Sequence, residues 1–248
     1  MIVDCHAHIL TSDDPELDGI LHVADRAGID RLGIISLSRE WTEFPTVDQL
    51  EEASGDVFEA CGKHPDRFIG AVYLSADHVA KSLELMDRCL ANGPCRFVKL
   101  WISQYADDPR LNPIVERAIE LDTPILQHTW VKATGNMTRE STYHHAVGMA
   151  QRHPRMKMWL AHCSGRWEES ARVIRDHPNI RVDLSGGEPE DGIVECLLKH
   201  LSPDRILFGS DLPGRNPYVQ IAKVLGADIP ESVKNKILGE NIQEWLHD

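Results

Sequence analysis

The chain has 248 residues, 42 % of them hydrophobic and 26 % charged, which suits a globular protein with a sizeable core. Its 39 acidic residues outweigh 26 basic ones, and the net charge of −13 argues against non-specific binding to nucleic acid or to an anionic membrane. No signal-peptide pattern opens the chain, no apolar run approaches the ~20 residues of a membrane span, and the six cysteines form no Cys-x-x-Cys pair, so a cytoplasmic protein with free thiols is expected.

The first ten residues, Met-Ile-Val-Asp-Cys-His-Ala-His-Ile-Leu, read as a buried strand. A helix is expected over 15–28, closed by Gly28, and a second strand over 32–37. The next helix starts at Thr46, with Gln49 completing a capping box, and ends near His64 and Pro65. Strand three covers 68–74, and Val79, Leu83, Met86 and Leu90 line the helix after it. Strand four covers 96–102, and the following helix is expected to cap at Asn112 with Pro113 in its first turn. Strand five is 124–128, followed by a longer loop over 130–140 and a helix at about 141–152. Strands six, seven and eight are expected over 157–162, 180–185 and 205–211. Helices fill 165–177, 190–201, the stretch opening at Asn216 and Pro217, and 231–247.

Eight strands, each followed by a helix, imply parallel strands joined by crossover helices, and the length is that of one (β/α)8 TIM barrel forming a single domain. An open doubly wound sheet is the competitor, but no Gly-x-Gly-x-x-Gly follows a strand.

In such a barrel the active site lies at the C-terminal strand ends. His6 and His8 end strand one, Lys99 lies in strand four, His128 ends strand five, His162 ends strand six, and Asp211 ends strand eight. Side chains two apart in a strand share a face, with Cα atoms ~6.6 Å apart, so His6 and His8 can reach one ion. Imidazoles joined by a carboxylate suit a divalent zinc, manganese, iron or cobalt ion. His64, His153 and His177 close helices at the opposite end, and His22, His78, His200 and His247 belong to the surface. His144 or His145 could reach the mouth from the long loop.

This ordered set resembles the amidohydrolase superfamily, and within it the amidohydrolase-2 branch, which also holds metal-dependent decarboxylases. The resemblance rests on Val3-Asp-Cys-His-Ala-His-Ile, Glu140-Ser-Thr, Arg152-His-Pro, His162-Cys-Ser-Gly-Arg-Trp-Glu, Val182-Asp-Leu-Ser-Gly, Phe208-Gly-Ser-Asp and Leu238-Gly-Glu-Asn-Ile, in order along nearly the whole chain. It implies that His6, His8, His128 and Asp211 bind one catalytic metal, most simply zinc. It implies further that Asp211 acts as general base and that His162 activates water or binds a second ion. Lys99 either bridges two metals after carboxylation, as in some binuclear members, or pairs with a carboxylate such as Asp183; one ion is favoured over two.

Trp41, Trp130, Lys132, Arg139, Arg166 and Arg215 are expected to rim the mouth, with Trp130 and Arg166 as substrate contacts. Basic and aromatic residues suit a small, anionic, ring-shaped substrate. Three readings stand: a metal-dependent hydrolase first, a decarboxylase of a cyclic or aromatic acid second, and a metal-binding barrel without turnover third. The third is disfavoured because every expected ligand is present. No nucleic-acid or membrane partner is expected, and a homo-oligomer is allowed.

Overall fold

The computed structural model describes residues 1–187 and 190–246. Eight parallel strands pair in chain order: β1 (Val3–His8), β2 (Arg31–Ile35), β3 (Phe68–Leu74), β4 (Cys95–Leu100), β5 (Ile125–Gln127), β6 (Met158–Leu160), β7 (Ile180–Asp183) and β8 (Ile206–Leu207). Between them lie α1 (Asp14–Ala27), α2 (Val47–Lys63), α3 (Val79–Met86), α4 (Asn112–Glu120), α5 (Tyr143–Arg152), α6 (Trp167–Ile174) and α7 (Ile193–Leu198). After β8 come α8 (Pro217–Leu225), α9 (Glu231–Asn235) and α10 (Asn241–Leu246). The expected (β/α)8 barrel is therefore the architecture. Among the described residues, no helix is long and apolar enough to cross a membrane.

The strands are apolar runs because parallel strands are covered on both faces. Residues such as Val3, Leu32, Ile34, Val72, Val98 and Ile125 are fully buried between the strands and the helices outside them. Thr46 and Gln49 form the expected capping box of α2, and Gly28 closes α1 in the left-handed conformation. The seam between last and first strand is closed by backbone bonds rather than by a regular ladder. Cys5 N donates to Phe208 O (3.0 Å), Asp211 N to His6 O (2.7 Å) and His8 N to Leu212 O (2.6 Å).

Several boundaries differ from expectation. The eighth strand spans two residues rather than 205–211, because Phe208 N turns away to Ile237 O and Asp211 takes a left-handed φ of 63°. Strand six stops at Leu160, and His162, Cys163 and Ser164 form a left-handed turn, so the helix after it begins only at Trp167. Asn112 does not cap α4. A 3-10 turn over Pro109–Leu111, capped by Asp108, runs directly into the helix and places Asn112 inside it. The helix expected over 190–201 shortens to Ile193–Leu198, and residue 247 of the last expected helix lies outside the described residues.

Candidate metal centre

Strand β1 puts Asp4, His6 and His8 on the barrel interior, and all three are buried. The floor is made by their convergence with Asp211. His6 Nε2 lies 3.2 Å from His8 Nε2 and 3.8 Å from Asp211 Oδ1, while His8 Nε2 lies 3.5 Å from the same oxygen. Two atoms that each bind one ion at ~2.1 Å, at tetrahedral or octahedral angles, are themselves ~3.0–3.4 Å apart. The triangle is close to that size, so the donor set fits a small divalent cation. His162 joins it from the left-handed turn: its ligand atom and those of His6 and Asp211 all lie within 4.8 Å of one another.

The tautomer of His6 is fixed from behind. Its Nδ1 donates to Asp183 Oδ2 (3.0 Å) at the end of β7, which leaves the Nε2 lone pair facing His8 and Asp211. Asp183 is fully buried and also accepts from His162 N (2.9 Å) and Ser185 N (3.0 Å). Ser185 Oγ lies 3.0 Å from His6 Nδ1 and 2.9 Å from His162 Nδ1. Gly186, at φ 68°, packs so closely that a Cβ there would meet His162 Nδ1 at 2.5 Å. Lys223 of α8 holds this turn by donating to Leu184 O (3.2 Å) and Gly186 O (3.1 Å) while pairing with Glu190 (2.9 Å).

Burial governs the charges. It pushes His8 down to about 4 and His162 well below the ordinary imidazole range, so both rings are neutral lone-pair donors near neutral pH. Burial would raise Asp211, but the imidazoles of His8, His162 and His6 around it override burial and hold the carboxyl below its usual range. Burial likewise opposes ionisation of Asp183, and His6 overrides it. Lys99 is lowered to about 8 by burial, and its Nζ lies 3.1 Å from His6 Nε2. Lys99 thus faces His6 rather than Asp183, and its ammonium competes with any cation for the same lone pair.

Asp4 behaves oppositely: burial raises it to about 7, against the bonds donated by Ser210 and His6. The fold then holds a proton that the unfolded chain has released between about pH 4 and 7, so this group lowers stability as the pH rises through that window. Asp4→Asn removes the titration. In metal-free protein its stability relative to wild type should increase with pH across the window, by at most about 1.4 kcal/mol per unit. Denaturant unfolding at pH 4.5 and 7.5 (about the window's two ends) measures this; a constant difference would contradict the assignment.

Above the floor is a cavity of about 260 Å³ whose lining includes Trp41, Trp101, Trp130, Lys132 and Arg215 together with His6, His8, Lys99, His128, His162 and Asp211. Its wall is a chain of rings. The His8–Trp41 centroids are 5.0 Å apart, Trp41–Trp101 6.5 Å, Trp101–His128 6.5 Å, and Trp130–His162 4.6 Å. Lys132 donates to Glu140 Oε1 (2.8 Å), whereas Arg215 has no carboxylate partner among the described residues.

Not every expected rim residue lines the cavity. Arg166 is half exposed and pairs with Glu169 (3.0 Å). Arg139 spans neighbouring loops instead, donating to Ser103 O (2.8 Å) and covering the Phe44 ring at 5.4 Å. His145 Nδ1 accepts from Thr142 N in the cap of α5, and His144 is exposed beside it. His64 and His153 close α2 and α5 at the far end, as expected.

Sequence reasoning missed four contributors. Trp101 was legible, because it shares strand parity with Lys99. Asp183 ends strand seven as the other site residues end theirs, and the sequence offers it as a partner for Lys99 rather than for His6. Ser185 falls in the expected strand seven with the parity of Asp183, although the observed strand ends at Asp183, and Glu140 lies in a loop where no periodicity points to it.

A family model described as amidohydrolase matches residues 3–247. No curated protein matches the sequence. Among solved structures, a 2,6-dihydroxybenzoate decarboxylase from Rhizobium superposes with a TM-score of 0.82 at 19 % identity, covering 99 % of this chain and 98 % of the other. A dihydroxybenzoic acid decarboxylase from a Polaromonas species, with bound manganese and the inhibitor 2-nitroresorcinol, gives 0.83 at 18 % identity, covering 99 % and 96 %. A 4-oxalomesaconate hydratase from Rhodopseudomonas palustris gives 0.75 at 16 % identity, covering 100 % and 96 %. At such identities the likeness establishes the fold.

Proposed function

The chain belongs to the amidohydrolase family of enzymes, and on that premise we propose that it is a metal-dependent decarboxylase of a small, flat, anionic acid. His6, His8, His128 and Asp211 hold one divalent ion in this reading. The carrying observation is the ring-walled cavity: Trp41, Trp101 and Trp130 stand over the donor cluster, with Lys132 and Arg215 at the rim. Flat apolar walls and the Arg215 cation, which has no carboxylate partner among the described residues, favour a planar carboxylate over an extended or neutral substrate. The names of the two dihydroxybenzoate decarboxylases of the same fold support this direction, and the manganese in one of them supports a divalent ion without fixing which.

When bound, the ion supplies a Lewis acid that polarises a substrate oxygen. The chain does the rest. The tryptophans clamp the ring, Arg215 steers the anion, and Asp211 or His162 manages the proton. The carbon–carboxylate bond breaks, carbon dioxide leaves, and the electron pair left on the ring carbon takes a proton that Asp211 or His162 has first accepted from solvent water. Hydrolysis, the first expectation from the sequence, is the second reading. It is favoured by His162, a neutral imidazole beside His6 and Asp211 that can accept a proton from water.

A direct assay separates the two. Protein loaded with manganese or zinc should release carbon dioxide from a hydroxybenzoate panel and leave lactones, amides and phosphoesters intact. Acid or amine release from the second group without carbon dioxide from the first would replace the lyase by the hydrolase.

A further inference from the structure

We propose that Glu140 is a positioning residue that sets the tautomer of His128 and so couples the loop over the cavity to the metal centre; this rests on the reading of His128 as a ligand. Glu140 is 2 % exposed although it lies in a loop. Its Oε1 lies 3.0 Å from His128 Nε2 and accepts from Lys132 Nζ at 2.8 Å, while Oε2 accepts from Met137 N at 2.9 Å.

A carboxylate only accepts hydrogen bonds, so the His128 nitrogen facing it must carry the proton. In a neutral imidazole this leaves Nδ1 as the nitrogen with a free lone pair. His128 can therefore serve as a ligand through Nδ1 and not through Nε2, whereas His6, held by Asp183 at Nδ1, presents Nε2. Two imidazoles of one centre are thus locked in opposite tautomers by two buried carboxylates, one on β7 and one on the loop between β5 and α5.

The same oxygen serves a cavity floor residue and a rim lysine. Lys132 NH3⁺, which also lies 5.9 Å over the Trp130 ring, is held down by the group that orients His128. The alternative is that Glu140 merely staples residues 130–140, which the Met137 and Lys132 bonds alone would achieve.

The test is zinc and manganese affinity by chelator competition on the full chain, with His128→Ala as reference. Glu140→Ala should weaken the affinity about 10–100-fold, the effect of losing an outer partner of a ligating histidine. Glu140→Gln, whose oxygen stays with the two donors at Oε1 and whose NH2 group falls on the Met137 side, can still accept from Nε2–H and should recover most of it. Lys132→Met cuts the staple but spares the His128 bond, and should change affinity less than about 3-fold, well below the effect of an outer partner. Should Glu140→Ala bind as wild type while His128→Ala loses metal, the proposal fails and the ligand reading stands. Should His128→Ala keep its metal, the ligand reading itself fails. A measurement independent of any variant is the ring 15N shifts of His128 in metal-free wild-type protein: the Nε2–H tautomer is expected, and the Nδ1–H tautomer would overturn the proposal.

Discussion

Replacing His6 by alanine is expected to leave the purified chain with essentially no bound metal and to lower kcat/KM by more than the ~10–100-fold that follows loss of an outer partner. The reason is its position: His6 Nε2 is the point shared by His8, Asp211 and Lys99, at 3.2, 3.8 and 3.1 Å. Without it, the remaining donors lose the atom that links them. The substitution also leaves Asp183 ionised and fully buried with its imidazole gone, so the melting temperature should fall as well. Elemental analysis of protein purified without chelator reads the first effect. Wild type should hold about one equivalent, and a His6→Ala chain retaining it would remove this residue from the centre. Two equivalents in wild type would instead bring in His162 and Lys99 as ligands.

Asp183→Asn should produce the second-largest change, although Asp183 is placed behind the donors rather than among them. An amide can present its NH2 group to His6 Nδ1, which pushes the ring toward the tautomer whose lone pair points away from His8 and Asp211. Metal affinity should drop about 10–100-fold. The charge also organises His162 N and Ser185 N, so stability at neutral pH should fall by about 3 kcal/mol, the scale of one buried charge-assisted hydrogen bond. The sign with pH follows from the depressed acidity of this carboxyl. Its stabilisation is present above the unfolded value near 4 and is lost as the pH falls below it. Wild type and variant should therefore converge in acid. A gap that did not narrow between pH 7 and pH 3, where the charge contribution shrinks by at most about 1.4 kcal/mol per unit below the unfolded value, would mean that packing, not charge, is what Asp183 supplies. Unfolding of metal-free protein across pH 3–7 (about the range spanning the unfolded carboxyl value) distinguishes the two.

The barrel was legible because its signals are local. Strands covered on both faces must be continuous apolar runs, and the polar residues that interrupt them at their C-terminal ends mark one mouth. His6 and His8 could be paired by parity alone. The parts that escaped depend on long-range contacts. The eighth strand shortens because Phe208 finds Ile237 in the chain's tail. His162 sits in a left-handed turn that its own residue types do not favour, imposed by the bond to Asp183 and the close approach of Gly186. Glu140 became buried only because His128 and Lys132 converge on it, and nothing in the composition of residues 130–140 announces that. Arg166 carries the opposite lesson: a cation beside a site histidine in sequence turned outward to its helix neighbour Glu169.

The irregular seam between β8 and β1 has a consequence for how the protein is made. Its backbone bonds join Cys5, His6 and His8 to Phe208, Asp211 and Leu212, so the floor is assembled from the two ends of the chain. Translation at ~5–20 residues per second places some tens of seconds between the appearance of the paired histidines and that of the carboxylate facing them. Until the last strands emerge the first strand has one neighbour, and His6 lacks first Asp183 and then Asp211. On the proposed ligand set, loading follows emergence of the eighth strand, and a ribosome stalled before it yields a product without Asp211, whatever the supply of ions in the cell.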